Sequence, residues 1–157
     1  MTEPDPTMND ITAAVTRGRE GDPQGARTAL TALWEETADP LHRCTIAHFL
    51  ADLQDAPEEE LAWDERALAA VAELTDERLQ RYDKSFQVRA FLPSLHLSLA
   101  DDHRRRGAFE VAAEHLAAGE AALDALNADA YGDVVRGAAK AIHEALAARS
   151  TEPLTPA

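Results

Sequence analysis

The chain has 157 residues, with 29 acidic against 15 basic side chains and a formal net charge of -14. Its length fits one domain, and its averaged field repels phosphate backbones and anionic lipid surfaces, so neither nucleic acid nor a membrane is an expected partner. Alanine, leucine, glutamate and arginine dominate while β-branched and aromatic residues are scarce, a composition that predicts an all-helical protein.

Residues 1 to 6 hold two prolines among polar side chains and read as a loose tail. Thr7, with Asp10 three residues on, fits a capping box that opens a helix carrying Ile11, Ala14 and Val15 and fading between Gly18 and Gly21. Asp22 followed by Pro23 is a second start: the aspartate caps free amides, and the fixed φ of proline suits the first helical position. Ala26, Ala29, Leu30, Leu33 and Trp34 form its apolar stripe. Asp39 and Pro40 repeat the device before Leu41, Cys44, Ala47, Leu50 and Ala51, with Ile46, Phe49 and Leu53 widening the apolar surface until the helix reads as largely buried. At Asp55 to Pro57 the chain turns into a fourth helix with glutamates in its first turn, where the dipole favours them, and with Leu61, Trp63, Ala67, Leu68, Val71 and Leu74 as its face.

Thr75 to Ser85 is polar and reads as a short or broken helical connector. A long helical pattern from Phe86 to Arg106 is interrupted by Pro93, which either kinks it or begins a new segment. After Gly107 an alanine-rich helix runs on until Asn127 closes it. Ala130 to Arg149 forms the last helix, with Tyr131, Val134, Val135, Ala138, Ile142, Ala145 and Leu146 inward. The expected organisation is one helical domain over residues 7–149, flanked by disordered tails at 1–6 and 150–157.

Six histidines raise the question of a metal or an acid/base pair. His48 with Asp52, and His103 with Asp101 and Asp102, have unspecific spacing; there is no HExxH, and Glu110, Glu114 and His115 lack the matching second set that a di-iron bundle needs. Asp52 to Glu65 holds seven carboxylates and no base, a solvated acidic face without the glycine and alternation of a calcium loop. Cys44 lies in an apolar helical pattern and Ser94 and Ser98 lie within a helix, so no nucleophile is exposed beside a base. Seven scattered glycines form no phosphate loop. These readings predict neither an enzyme nor a bound cofactor or metal. Arg104, Arg105 and Arg106 read as a solvated helix end that complements the dipole. With one cysteine there is no disulfide framework. The N-terminus lacks the bases and apolar run of a secretory signal, and no window approaches a membrane span of about 18 apolar residues, so a cytoplasmic, soluble protein is expected.

Between Pro93 and Leu126, His96, Leu99, Ala100 and His103 are followed by Gly107, Phe109, Ala112 and Leu116. This spacing resembles one tetratricopeptide repeat, in which Ala100 and Ala112 are small where the two helices come closest. Histidines stand at the family's tryptophan and tyrosine positions, leucine replaces its phenylalanine, Gly119 replaces a later alanine, and Asp124 stands where a proline is common. Weaker echoes lie at Leu50 and Ala51 and from Glu60 to Leu68. The resemblance implies antiparallel helical hairpins stacked as a short α-solenoid with a C-terminal capping helix, a compact irregular bundle being the alternative. It further implies a non-enzymatic interaction module binding a protein or peptide in a groove lined by Ser94, Leu97, Asp101, Arg104 and Arg105, with His48 and Asp52 analogous on the weaker unit. This surface lacks the lysine and asparagine set of the family's carboxylate-clamp members. The alternatives are a self-associating structural protein, such as a homodimer, and a ligand carrier or enzyme with a pocket around Trp63, His48 and His96.

Overall fold

The computed structural model describes residues 3–154, which contain eight α-helices and no strand. Where the sequence reads as one domain, the contacts divide the chain into two compact units, Met1–Val88 and Arg89–Ala157.

The first unit holds α1 (Pro6–Arg19), α2 (Pro23–Glu36), α3 (Pro40–Asp52), α4 (Pro57–Val71) and the short α5 (Asp76–Tyr82). The first four begin on prolines at 6, 23, 40 and 57, a constant step of 17 residues. Aspartate caps three of these starts: the carboxylates of Asp5, Asp22 and Asp39 accept from the backbone N–H of Met8, Gly25 and Leu41, each at 2.9 Å. The cap of α1 is thus Asp5 rather than Thr7, because Pro6 supplies the preset φ one residue earlier. The expected N-terminal tail is correspondingly ordered from Glu3, whose N–H donates to the Arg81 carbonyl at 2.9 Å; residues 1 and 2 lie outside the described residues.

Successive helices pack as hairpins, α1 on α2 and α3 on α4, with α3 also against α1 and α2. α1 and α2 approach closely at Gly18, where an added Cβ would lie 3.0 Å from that of Ala26. Packing from several sides buries Leu41, Cys44, Ile46, Ala47, Leu50 and Ala51 of α3 almost completely, as its unbroken apolar pattern predicts. The connector holds α5, capped by Thr75 and anchored by the fully buried Leu79.

In the second unit a 3-10 turn ending at Phe91 leads into α6 (Leu92–Arg105), followed by α7 (Phe109–Ala121) and α8 (Ala130–Ala147). Pro93 therefore begins a helix instead of kinking one: in the first turn its missing N–H costs nothing. Gly107, at φ +78°, ends α6. Its N–H donates to Arg104 and that of Ala108 to His103, both at 2.9 Å, the paired bonds of a left-handed helix terminus. α7 stops at Ala121 and a 3-10 turn over Leu123–Ala125 follows, so the helix closes before Asn127. Leu97, Ala100, Leu116, Val135, Ala139 and Ile142 form the core. Gly119 sits at the α6–α7 approach, where a Cβ would stand 3.2 Å from Leu97. Tyr131 and Val134 are exposed rather than inward, at 55% and 71%. The packed stripe of α8 runs through Val135, Ala139 and Ile142; Val134 lies about 100° around the helix from it, and Tyr131 stands in the first turn.

The segment after α8 is fixed through Ser150, whose N–H donates to Ala145 at 3.0 Å and whose carbonyl accepts from Arg104 at 2.7 Å. The expected disordered tail thus begins with anchored chain, and residues 155–157 lie outside the described residues. Arg149 takes the left-handed conformation there, φ 52°, with its guanidinium 4.5 Å above the Phe109 ring. Among the described residues no helix is long and apolar enough to cross a membrane.

Candidate partner-binding site

Of the groove residues expected on α6, two are interior. Leu97 is a core residue and Arg104 is completely buried. The reason is α8: it covers part of α6 that the hairpin pattern leaves open, so Leu97 meets a second helix. Arg104 donates from Nη2 to Asp101 at 2.7 Å and from Nη1 to the Ser150 carbonyl. Arg105 donates to the other Asp101 oxygen and to Asp102, both at 2.9 Å. Ser94 is half-buried, its hydroxyl donating to Phe91 at 3.4 Å. The charges of α6 are therefore engaged in holding its own unit together.

His48 and Asp52, one turn apart on α3, do form an electrostatic pair. Burial of His48 lowers its pKa against the opposing pull of the Asp52 charge, and its Nδ1 is buried without a hydrogen-bond partner among the described residues. Asp52 is partly in solvent but lies in a hollow of about 230 Å³ with Arg19 and Phe49. There desolvation raises its pKa, with Glu60 adding to the effect and His48 and Arg19 opposing it. Cys44 is inert: burial pushes its thiol up to about 12.

A second polar cluster ties helix starts together. His42 contacts Asp5 through Nε2 at 2.9 Å and the Thr37 hydroxyl through Nδ1 at 3.0 Å, while Arg78 donates to Asp39 at 2.7 Å and to Asp5 at 3.4 Å. The order carboxylate, imidazole, hydroxyl has the form of a proton relay. However, the Thr37 oxygen also accepts the Asp39 N–H at 3.2 Å, and both carboxylates cap helices, which makes the cluster a fastening. Burial pushes Asp5 and Asp39 up, but hydrogen bonds from His42 and Met8 to the first, and from Arg78 and Leu41 to the second, leave both lowered.

The arrangement best suited to hold a ligand includes Trp63, which the sequence reading placed in an alternative pocket with His48 and His96, and joins it to Arg27, which that reading left out. Trp34 of α2 and Trp63 of α4 meet edge to face, 5.1 Å between centroids at 87°. An arginine covers each: Arg43 lies 4.0 Å from the Trp34 centroid and Arg66 4.3 Å from that of Trp63. Beside Trp63 opens a hollow of about 330 Å³ lined by Arg27, Thr31, Gln54, Glu59, Trp63 and Arg66. Among the described residues the Arg27 side chain reaches only the exposed Asp55, at 3.6 Å, and its Nε is buried without a hydrogen-bond partner. Arg66 has no ion-pair partner among the described residues. Trp34 and Trp63 stand on α2 and α4, helices of different hairpins, a pairing that helical spacing alone does not register. Trp63 and His48 belong to the first unit and His96 to the second. In the second unit the Nδ1 atoms of His96 and His115 stand 3.1 Å apart, within hydrogen-bond distance.

No significant match relates the chain to a family model, a curated protein or a solved structure.

Proposed function

We propose that the chain is a non-enzymatic, tetratricopeptide-like interaction module that holds a peptide segment at the Arg27, Trp63 and Arg66 hollow of its first unit. The carrying observation is the buried Arg27 Nε without a partner. A buried charged donor left unmet costs more than an exposed one, and a carboxylate arriving from a partner would satisfy it. Trp63 offers an apolar face beside that donor, and Arg66 adds a second cation. The fitting segment places an aspartate or glutamate next to an aromatic or apolar side chain. Glu59 on the rim takes a main-chain N–H of the same segment. The repeat reading is supported by the step of 17 residues between helix starts, which recurs from Leu92 of α6 to Phe109 of α7; two such steps give the 34-residue tetratricopeptide period. The complete burial of Ala100 and Ala112 supports it as well.

The test is calorimetric titration with an acetylated, amidated peptide carrying Glu-Phe, alongside its Gln-Phe counterpart. The Glu peptide is expected to bind, the Gln peptide about tenfold more weakly, and Arg27→Gln to remove the difference, as loss of one charge-assisted bond of about 1.5–3 kcal/mol implies. Equal binding of the two peptides, or none, contradicts the proposal.

Self-association is the second reading, favoured by the exposed Tyr131 and Val134 on α8. Sedimentation of wild type and Val134→Glu over a range of concentrations checks it: a dimer lost in the variant supports this reading, and a monomer throughout removes it.

A further inference from the structure

In the second unit His96 and His103 lie seven residues apart on α6, about two turns, and His115 on α7 meets both. The His96 and His115 rings are 5.3 Å apart between centroids, and His103 and His115 stack 5.6 Å apart with planes within 4°. The Nδ1 atoms of His96 and His115 face each other at 3.1 Å. At this distance one ring's Nδ1–H donates to the other ring's Nδ1, and a cation that both nitrogens ligate can take the place of that proton. Metal–nitrogen bonds of about 2.0–2.1 Å place two neighbouring ligand atoms about 2.9–3.4 Å apart, a range that contains the observed separation.

The surroundings suit a cation. All three rings are half-buried, so water reaches the remaining coordination positions. His103, stacked on His115, limits that ring's rotation.

We propose that His96 and His115 form a divalent transition-metal site, each contributing Nδ1, with His103 as the positioning ring. Imidazole ligands suit zinc, copper and nickel, whereas the all-oxygen coordination of calcium or magnesium is absent from this pair. The site is independent of the peptide hollow, which lies in the other unit.

The experiment uses the full chain, freed of metal by a chelator and titrated with Cu²⁺ at pH 7.5, with electron paramagnetic resonance of the loaded protein. One tightly bound Cu²⁺ per chain with two directly coordinated nitrogens is expected. His96→Gln and His115→Gln, which retain side-chain hydrogen bonding, should each weaken binding by about tenfold or more. His143→Gln should bind as wild type, since His143 is exposed on α8 and pairs with Glu120 at 3.2 Å. Zn²⁺ should raise the melting temperature of the wild type and not that of His115→Gln. No Cu²⁺ uptake by the wild type, a signal without nitrogen coupling, or undiminished uptake by folded His115→Gln would overturn the proposal.

Discussion

His48 shows how one side chain carries a pH dependence. Its pKa is lowered in the folded chain because burial disfavours the charged ring, so the unfolded chain takes up its proton first as pH falls. The stability it contributes is present above the unfolded value of about 6.5 and is lost as pH drops through the folded value. Urea unfolding, followed by the two tryptophans, should therefore give a lower midpoint at pH 5.5 than at pH 7.5, and His48→Gln should reduce that difference. Asp5 and Asp39, both lowered, act further down: their contribution holds above about pH 3.9 and fades below it. Arg104 tests burial of a charge more directly. Arg104→Met keeps the stem's packing but leaves one Asp101 oxygen and the Ser150 carbonyl without their Arg104 donor, the other Asp101 oxygen staying paired with Arg105. Breaking a buried pair from one side costs about 3–5 kcal/mol, with the lower end expected here because Asp101 stays partly in water; equilibrium denaturation measures it.

Among the elements, the helix ends were the most legible in sequence and the helix faces the least. Asp22–Pro23, Asp39–Pro40 and Gly107 each act through residues adjacent in the chain, so short-range chemistry decides them. Gly107→Ala should cost about 1–2 kcal/mol in thermal unfolding, the penalty of a Cβ in the left-handed region; a change near zero would mean the α6 terminus relaxes. Arg149 adopts that conformation without being glycine, its guanidinium resting on Phe109. Faces were harder to read. The hairpin pattern identified the α6 surface that packs on α7, but coverage by α8 depends on a helix about forty residues further on, and it turned Leu97 and Arg104 from groove into interior. The same limit hid the composition of the hollow: Trp63 reads as a pocket residue beside His48 and His96, and only the placing of α2 against Trp63 of α4 brings Arg27 to it.

At the scale of the molecule, a chain with a net charge of -14 carries a locally basic, aromatic spot where Arg27, Arg43 and Arg66 surround its only two tryptophans. Under the proposed function that contrast is the source of selectivity: the averaged field discourages polyanions, and Arg27 and Arg66 are the groups to which a single carboxylate would bind. It also makes the site directly observable. With two tryptophans in the sequence, a proton–nitrogen spectrum contains two indole N–H signals, both from this spot. Adding the Glu-Phe peptide should shift the Trp63 signal to saturation in the wild type, with little shift in Arg27→Gln. Indole signals that stay in place at millimolar peptide, or that move equally in the variant, would contradict the assignment of this hollow as the docking site.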